Sequence, residues 1–140
     1  MQVAATNKIT MEQFQAFFGQ EIGLTDDIQM KQFGYFVYDN KVPVAFFSLF
    51  PVDKNSYWLR AFVMKQGMPL TFPMTLIQLA EELVKEYGAN QLFIHSKSQL
   101  VTDLVSQLGY TQTDRAPTNM ESGQWWISIR LHHDEFSKTC

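Results

Sequence analysis

The sequence predicts an α+β fold, with a central mixed β-sheet and helices on both faces, and three patterns indicate it. Apolar runs over residues 35–51 and 57–64 have the composition of strands, and the earlier run can form an antiparallel hairpin. Residues 72–87 repeat apolar side chains at spacings of three and four, which is typical of an amphipathic helix. Another strand-like run follows at 91–95. Because a strand–helix–strand unit needs a crossover, we expect 57–64 and 91–95 to be parallel neighbours.

The composition indicates one folded domain. The chain has 140 residues, of which 46 % are hydrophobic, so a packed domain is expected over residues 1–131, followed by a polar tail over 132–140. The net charge is −3 and no basic stripe occurs, so no nucleic-acid partner is expected. No apolar run reaches the roughly 20 residues of a membrane helix, so no membrane partner is expected either.

The cysteine content and the N-terminal segment indicate a location. Cys140 is the only cysteine, which allows no internal disulfide and no cysteine metal site. The N-terminal segment has no apolar core of signal-peptide length. We therefore expect a cytoplasmic protein, of a cell or of an infected host, with the virion as the alternative location and with no metal.

The first half of the chain begins with a predicted helix from Thr10 to Phe18. Thr10 and Gln13 have the spacing of a capping box, in which each side chain accepts a hydrogen bond from the backbone of the other residue. Thr25 is placed to cap a second helical turn. The composition of Asp39-Asn40-Lys41 predicts the tight turn between the first two strands.

The second half is organised by two helices. Leu83 lies at the centre of the apolar face of the long helix, so we expect its side chain to be fully buried. Glu81 lies off that face and is expected in solvent. Ser96 or Ser98 begins the next helix, with Ser96 and Gln99 as a possible capping box. The last strands are expected at 110–115 and 124–131.

The order of elements over residues 33–131 resembles the GNAT acyltransferases, which transfer an acyl group, usually acetyl from acetyl-CoA, to an amine. The most specific piece is "SQLVTDLVSQLGY". It is similar to the family's segment of Asn, an apolar helix, Tyr, and then Leu-Gly-Phe, because it keeps the helix, Leu108, Gly109 and an aromatic residue at Tyr110. The resemblance implies the GNAT-like acyl-CoA N-acyltransferase fold and acetyl-CoA as the ligand.

The resemblance also implies a set of coenzyme-binding residues. In the family, the strand before the long helix holds the pantetheine arm, and the following turn and helix N-terminus hold the pyrophosphate, where unpaired N–H groups and the helix dipole attract anions. Ser98 falls where the family segment opens with Asn. The expected coenzyme contacts are therefore Ala61, Phe62, Val63, Lys65, Gln66, Gly67, Thr71 and Ser98.

Two departures from the family pattern put catalysis in question. The turn in which the family has glycines is occupied here by Met68, Pro69, Leu70 and Thr71, and proline has no N–H to donate. Val105 occupies the position of the tyrosine that often serves as general acid, and valine has no proton to give.

The remaining candidate catalytic residues each have an ordinary structural alternative. His95 ends a predicted strand and is a candidate base for the amine proton, or a strand-end histidine bonded to the backbone. Tyr110 is a candidate substitute acid, or a packed ring with its hydroxyl at the rim.

Two main hypotheses follow. The chain is an N-acyltransferase with a degenerate coenzyme turn and an unidentified small-molecule or protein amine as acceptor. Alternatively, it is a non-catalytic binding or assembly protein of the same fold, somewhat like the small GNAT-like proteins of tailed phages, with other proteins as partners. A toxin or antitoxin of this fold is a third option that no residue selects.

Overall fold

The computed structural model describes residues 2–18, 27–96, 98–114, 124–128 and 131. The chain divides into two compact units, the first being Met1–Phe50 with Arg60–Met68 and the second Pro51–Leu59 with Pro69–Cys140. The single domain over 1–131 stays a prediction. Thr25, the loop over 116–123 and the tail over 132–140 lie outside the described residues.

The described residues form seven strands and four α-helices. The strands are β1 (Gln2–Ala5), β2 (Gly34–Asp39), β3 (Val42–Asp53), β4 (Ser56–Met64), β5 (Gln91–Ser96), β6 (Thr111–Gln112) and β7 (Gln124–Ile127). The helices are α1 (Met11–Phe18), α2 (Asp27–Gln32), α3 (Phe72–Glu86) and α4 (Gln99–Gln107).

The first unit contains an antiparallel meander in which β1 pairs with β2 and β2 pairs with β3. The turn between β2 and β3 is formed by Asn40 and Lys41, with φ of 52° and 67°. Two successive positive φ angles are the geometry of the two-residue turn that matches strand twist, so the predicted turn is confirmed. Strand β1 was not predicted.

Aromatic rings from α1, β2 and β3 form the core of the first unit. Phe14, Phe36 and Phe46 are buried together, and the ring centroids of Phe14 and Phe46 are 5.5 Å apart in an edge-on arrangement. The predicted capping box starts α1: the Thr10 N–H donates to Gln13 Oε1 and the Gln13 N–H donates to Thr10 Oγ1, both at 3.1 Å.

The second unit contains the mixed part of the sheet. The beginning of β4 pairs with β5 in parallel, from Ser56 opposite Gln91 to Leu59 opposite Ile94. β5 then pairs with β7, and β7 with β6, both antiparallel. The predicted parallel neighbours and the mixed sheet are therefore confirmed. The described part of the last predicted strand is shorter than expected, and residues 129–130 lie outside the described chain.

Helix α3 buries a face that differs from the one expected. Leu76, Ala80 and Val84 are fully buried, whereas Leu83 is only half-buried, so its predicted full burial is wrong. Successive residues of an α-helix are about 100° apart around its axis. Leu83 therefore points roughly 80° away from the direction midway between Ala80 and Val84. The prediction that Glu81 is solvated is also wrong, because it is half-buried and its Oε2 accepts a hydrogen bond.

Ser98 is the N-cap residue of helix α4. The Ser98 side chain accepts a hydrogen bond from the Val101 N–H at 3.3 Å, which is the N-cap contact. The predicted capping box of Ser96 and Gln99 is wrong. The Ser96 hydroxyl is buried and lies 2.9 Å from the Ser98 carbonyl, to which it donates, and 2.7 Å from the Thr102 hydroxyl.

Candidate functional site

Strand β4 continues beyond the residues that pair with β5. The last parallel pair is Leu59 with Ile94, but β4 continues to Met64. The predicted pantetheine contacts, Ala61 to Val63, lie in this continuation, which belongs to the first unit. Phe62 is half-buried and Val63 is 38 % exposed.

The turn after β4 keeps one of the features expected of a phosphate-binding loop. Gly67 has a φ of +87°, and apart from its two chain neighbours no residue has an atom within 4 Å of the point that a Cβ would occupy, so the backbone there is open to approach. Gln66 is also exposed. The backbone N–H of Lys65 is already used, because it donates to the Val44 carbonyl at 2.9 Å.

The Lys65 side chain lies against α1. Its Nζ is 6.0 Å from the ring centroid of Phe17, in the range of a cation–π contact. Both residues belong to the first unit. A pyrophosphate contact for Lys65 stays a prediction.

In the second unit, the first turn of α3 has few N–H groups left for an anion. The Phe72 N–H donates to the Pro69 carbonyl at 3.0 Å, and the Thr75 N–H donates to the Thr71 carbonyl at 3.2 Å. Pro73 has no N–H. The Met74 N–H is the donor of the first turn that these contacts do not use.

Two side chains just before α3 face solvent. Thr71 occupies the N-cap position and makes no side-chain cap hydrogen bond, so its hydroxyl can serve a ligand. Leu70 is 98 % exposed, although burial of such a side chain is favourable by about 1.5–3 kcal/mol. A leucine therefore lies in solvent where the family turn has a small residue.

The His95 ring packs against an aromatic side chain of strand β7. It is half-buried, it pairs with Trp125 across β5 and β7, and the two ring centroids are 4.7 Å apart. Trp125 in turn contacts Trp58 with a centroid distance of 5.2 Å. The Trp125 indole covers one side of the imidazole, and His95 Nε2 is itself buried.

Tyr110 is held by a carboxylate. Its ring is 4 % exposed and its hydroxyl donates to Glu81 Oε2 at 2.7 Å. Burial first, and then the Glu81 charge and this hydrogen bond, raise the pKa of Tyr110 above its usual range. A phenol with a raised pKa is a weaker acid, so this arrangement disfavours Tyr110 as a proton donor to a leaving group.

Glu81 is the other half of this pair. Burial raises the pKa of its carboxyl, and the hydrogen bond from Tyr110 partly opposes that effect. Val105 is fully buried, so the position of the family's usual acid is part of the core. Ser98 is exposed, but its hydroxyl is used as the α4 cap.

The predicted site residues therefore divide between the units. The first unit holds Ala61, Phe62, Val63, Lys65, Gln66 and Gly67, and the second holds Thr71, His95, Ser98 and Tyr110. Within the described chain, no group of three or more His, Cys, Asp or Glu side chains is placed to hold a metal ion. None of the described helices is long and apolar enough to cross a membrane.

Sequence reasoning missed a cavity in the first unit, which we call the α1 cavity. It has a volume of about 360 Å³. Its walls come from four separate stretches of the chain, so no motif or spacing marks it in the sequence. It is lined by Ile9, Gln13, Ala16, Phe17, Phe36, Tyr38, Pro43 and Lys65.

The chain is similar in structure to solved acetyltransferases. It matches N-acetylglutamate synthase from Neisseria gonorrhoeae, solved with coenzyme A and N-acetyl-glutamate, with a TM-score of 0.73 and 10 % identity, over 94 % of this chain and 35 % of that one. A GNAT family acetyltransferase from Elizabethkingia anophelis with acetyl-CoA bound matches with a TM-score of 0.68 and 12 % identity, over 93 % of this chain and 97 % of that one. A GNAT family acetyltransferase from Staphylococcus aureus matches with a TM-score of 0.67 and 14 % identity, over 91 % and 97 %.

The sequence matches no protein-family model and no curated protein sequence. At these low identities, the structural similarity shows the fold. The chain has the GNAT acetyltransferase fold, as the sequence predicted. It spans about a third of the Neisseria synthase, 35 % of its length.

Proposed function

We propose that the chain binds acetyl-CoA and transfers its acetyl group to an amine. The observation that carries the proposal is β4, whose parallel pairing stops at Leu59 while the strand continues to Met64. The resemblance to the GNAT acyltransferases assigns the pantetheine arm to the peptide groups of residues 61–63, and these residues lie in the continuation of the strand. Structural neighbours solved with coenzyme A or acetyl-CoA support the same ligand.

The pyrophosphate would be held by a reduced set of donors. In the second unit, Thr71 offers a hydroxyl and Met74 offers an N–H at the positive end of the α3 dipole. Family glycines would supply more backbone donors than this turn does. We therefore expect a dissociation constant for acetyl-CoA between about 1 μM and about 1 mM.

The transfer step needs two proton movements. The amine nitrogen attacks the thioester carbon, a backbone N–H of residues 61–63 stabilises the oxyanion, and the C–S bond breaks to release the thiolate. A base must accept the proton that the amine loses, and His95 is the candidate that the second unit offers. Tyr110 is bound to Glu81 and Val105 is in the core, so the thiolate takes its proton from water. Transfer should be slow for this reason.

A non-catalytic binding or assembly role is the second candidate. Leu70 and Leu100 precede and begin the two helices of the second unit and are 98 % and 64 % exposed. Each of these leucines has apolar surface whose burial against another protein would be favourable. The occupied Tyr110 hydroxyl favours this alternative as well.

Calorimetric titration with acetyl-CoA tests the proposal. Leu70→Gly should tighten binding, because glycine lets the backbone approach the phosphates. Leu70→Ala is the matched control, since it shortens the side chain without giving the backbone glycine's freedom. Equal tightening by both variants would show that the side chain, and not the backbone, limits binding. A wild-type dissociation constant weaker than about 1 mM would reject acetyl-CoA as the ligand.

Activity is measured by release of the coenzyme A thiol over a panel of amines. The chain's own Cys140 would react with the thiol reagent, so the assay uses Cys140→Ser. His95→Gln should lower the rate with little effect on acetyl-CoA binding. Micromolar binding with no thiol release from any amine would favour the non-catalytic role.

A further inference from the structure

The α1 cavity has the size of a small-molecule site. Its volume of about 360 Å³ falls within the range of roughly 300–1,000 Å³ that is usual for ligand pockets. All of its lining residues belong to the first unit. The proposed acetyl transfer makes no use of it.

The inner surface of the cavity is aromatic. Phe36 is 4 % exposed, and its ring centroid lies 5.0 Å from that of Phe17 and 6.2 Å from that of Tyr38. Ile9 and Pro43 add aliphatic surface. Such a lining favours a ligand with a flat or compact apolar body.

The polar groups of the cavity are mainly hydrogen-bond donors. Gln13 Oε1 accepts the Thr10 N–H at 3.1 Å, so its Nε2 is the end that can donate to a ligand. Tyr38 brings a hydroxyl and Lys65 an ammonium group. Among the described residues that line the cavity, Lys65 is the only charged one and none is a carboxylate. A donor-rich lining with one positive charge is complementary to a monoanion.

We propose that the α1 cavity binds a small organic monocarboxylate, with its apolar body on Phe17 and Phe36 and its carboxylate on Lys65. Lys65 is exposed, and its Nζ lies 6.0 Å from the Phe17 ring centroid, so the ammonium is at the rim of the cavity beside the proposed aromatic contact. This assigns Lys65 to the carboxylate and leaves the pyrophosphate to the other residues of the turn. The inference does not depend on acetyl transfer.

The test is a titration of the whole chain with phenylacetate, followed by NMR, in the absence of coenzyme. Phenylacetamide is the neutral control ligand, because it has the same ring and nearly the same shape without the charge. Lys65→Gln removes the charge and keeps a donor, and Lys54→Gln is the matched variant, since Lys54 is exposed in the turn between β3 and β4. Ala16→Trp fills the cavity from an exposed position of α1 and leaves Lys65 in place.

We expect phenylacetate to bind at least about tenfold more tightly than phenylacetamide, a difference of about 1.4 kcal/mol. Lys65→Gln should lower the affinity for phenylacetate by a similar factor. Ala16→Trp should abolish phenylacetate binding, and Lys54→Gln should not change it. Equal affinity for the amide, no effect of Lys65→Gln, or no binding by about 10 mM phenylacetate would overturn the inference. A loss of acetyl-CoA affinity in Lys65→Gln without a loss of phenylacetate affinity would also overturn it, and would return Lys65 to the pyrophosphate.

Discussion

Replacing Tyr110 by Phe should destabilise the protein by an amount that depends on pH. The substitution keeps the buried ring and removes only the hydroxyl that donates to Glu81 Oε2 at 2.7 Å. When Glu81 is ionised, the partner is a half-buried carboxylate, and a hydrogen bond to a charged group contributes about 1.5–3 kcal/mol. With the carboxyl protonated, the same contact contributes about 0.5–1.5 kcal/mol. The cost of Tyr110→Phe should therefore shrink as the pH is lowered.

The direction in which the free energy of unfolding of the wild type changes with pH follows from the pKa of Glu81. Burial raises the pKa of that carboxyl above its ordinary value of 4.5. Between the ordinary and the raised value, the folded state binds more protons than the unfolded state. The contribution of Glu81 to the free energy of unfolding is therefore fully present below pH 4.5 and is lost as the pH rises through the raised pKa.

Urea unfolding followed by circular dichroism measures both effects, at pH 7 and at about pH 4, where a glutamate is largely protonated. Glu81→Gln is the matched background, because it keeps an acceptor oxygen and removes the charge. In that background Tyr110→Phe should cost about 0.5–1.5 kcal/mol at both pH values. A cost of Tyr110→Phe that is the same at both pH values in the wild-type background would refute the reasoning.

Two further substitutions test the packing. Leu76→Ala should lower the free energy of unfolding by about 2–5 kcal/mol because Leu76 is fully buried. The same change at Leu83, which is half-buried, should lower it clearly less. Equal values in urea unfolding would show that the wrong face of α3 was assigned. Gly34→Ala should lower the free energy of unfolding by at least about 1–3 kcal/mol, because a Cβ there would lie 2.4 Å from the Phe46 ring and closer still to the Met30 carbonyl. A variant as stable as the wild type in thermal unfolding would show that this part of the first unit can move apart.

The elements with strong periodicity could be predicted from the sequence. The repeat in α3 and the apolar runs of β4 and β5 required a crossover, and the parallel pairing of Ser56–Leu59 with Gln91–Ile94 confirms it. Strand β1 could not be predicted, because its four residues are ordered by pairing with β2 and carry no pattern of their own. Leu83 was misplaced because periodicity gives the apolar face of a helix without showing which side its neighbours cover.

The site was less predictable than the fold. The sequence placed Ala61–Val63 on the correct strand, but side-chain partners depend on tertiary contacts that no spacing reveals. Tyr110 and Glu81 are 29 positions apart, so their hydrogen bond, and the weaker acid that results, could not be anticipated. The α1 cavity is hidden for the same reason, since Tyr38 and Lys65 come together only when the first unit folds.

The division into two units has a consequence for spectroscopy. The chain has three tryptophans, Trp58, Trp125 and Trp126, and all of them belong to the second unit. Indole fluorescence therefore reports the unfolding of that unit alone, while the buried rings of Phe14, Phe36 and Phe46 emit too weakly to report the first. A fluorescence transition that coincides with the loss of circular dichroism would show that the two units unfold cooperatively, and two separated transitions would show that each has its own stability.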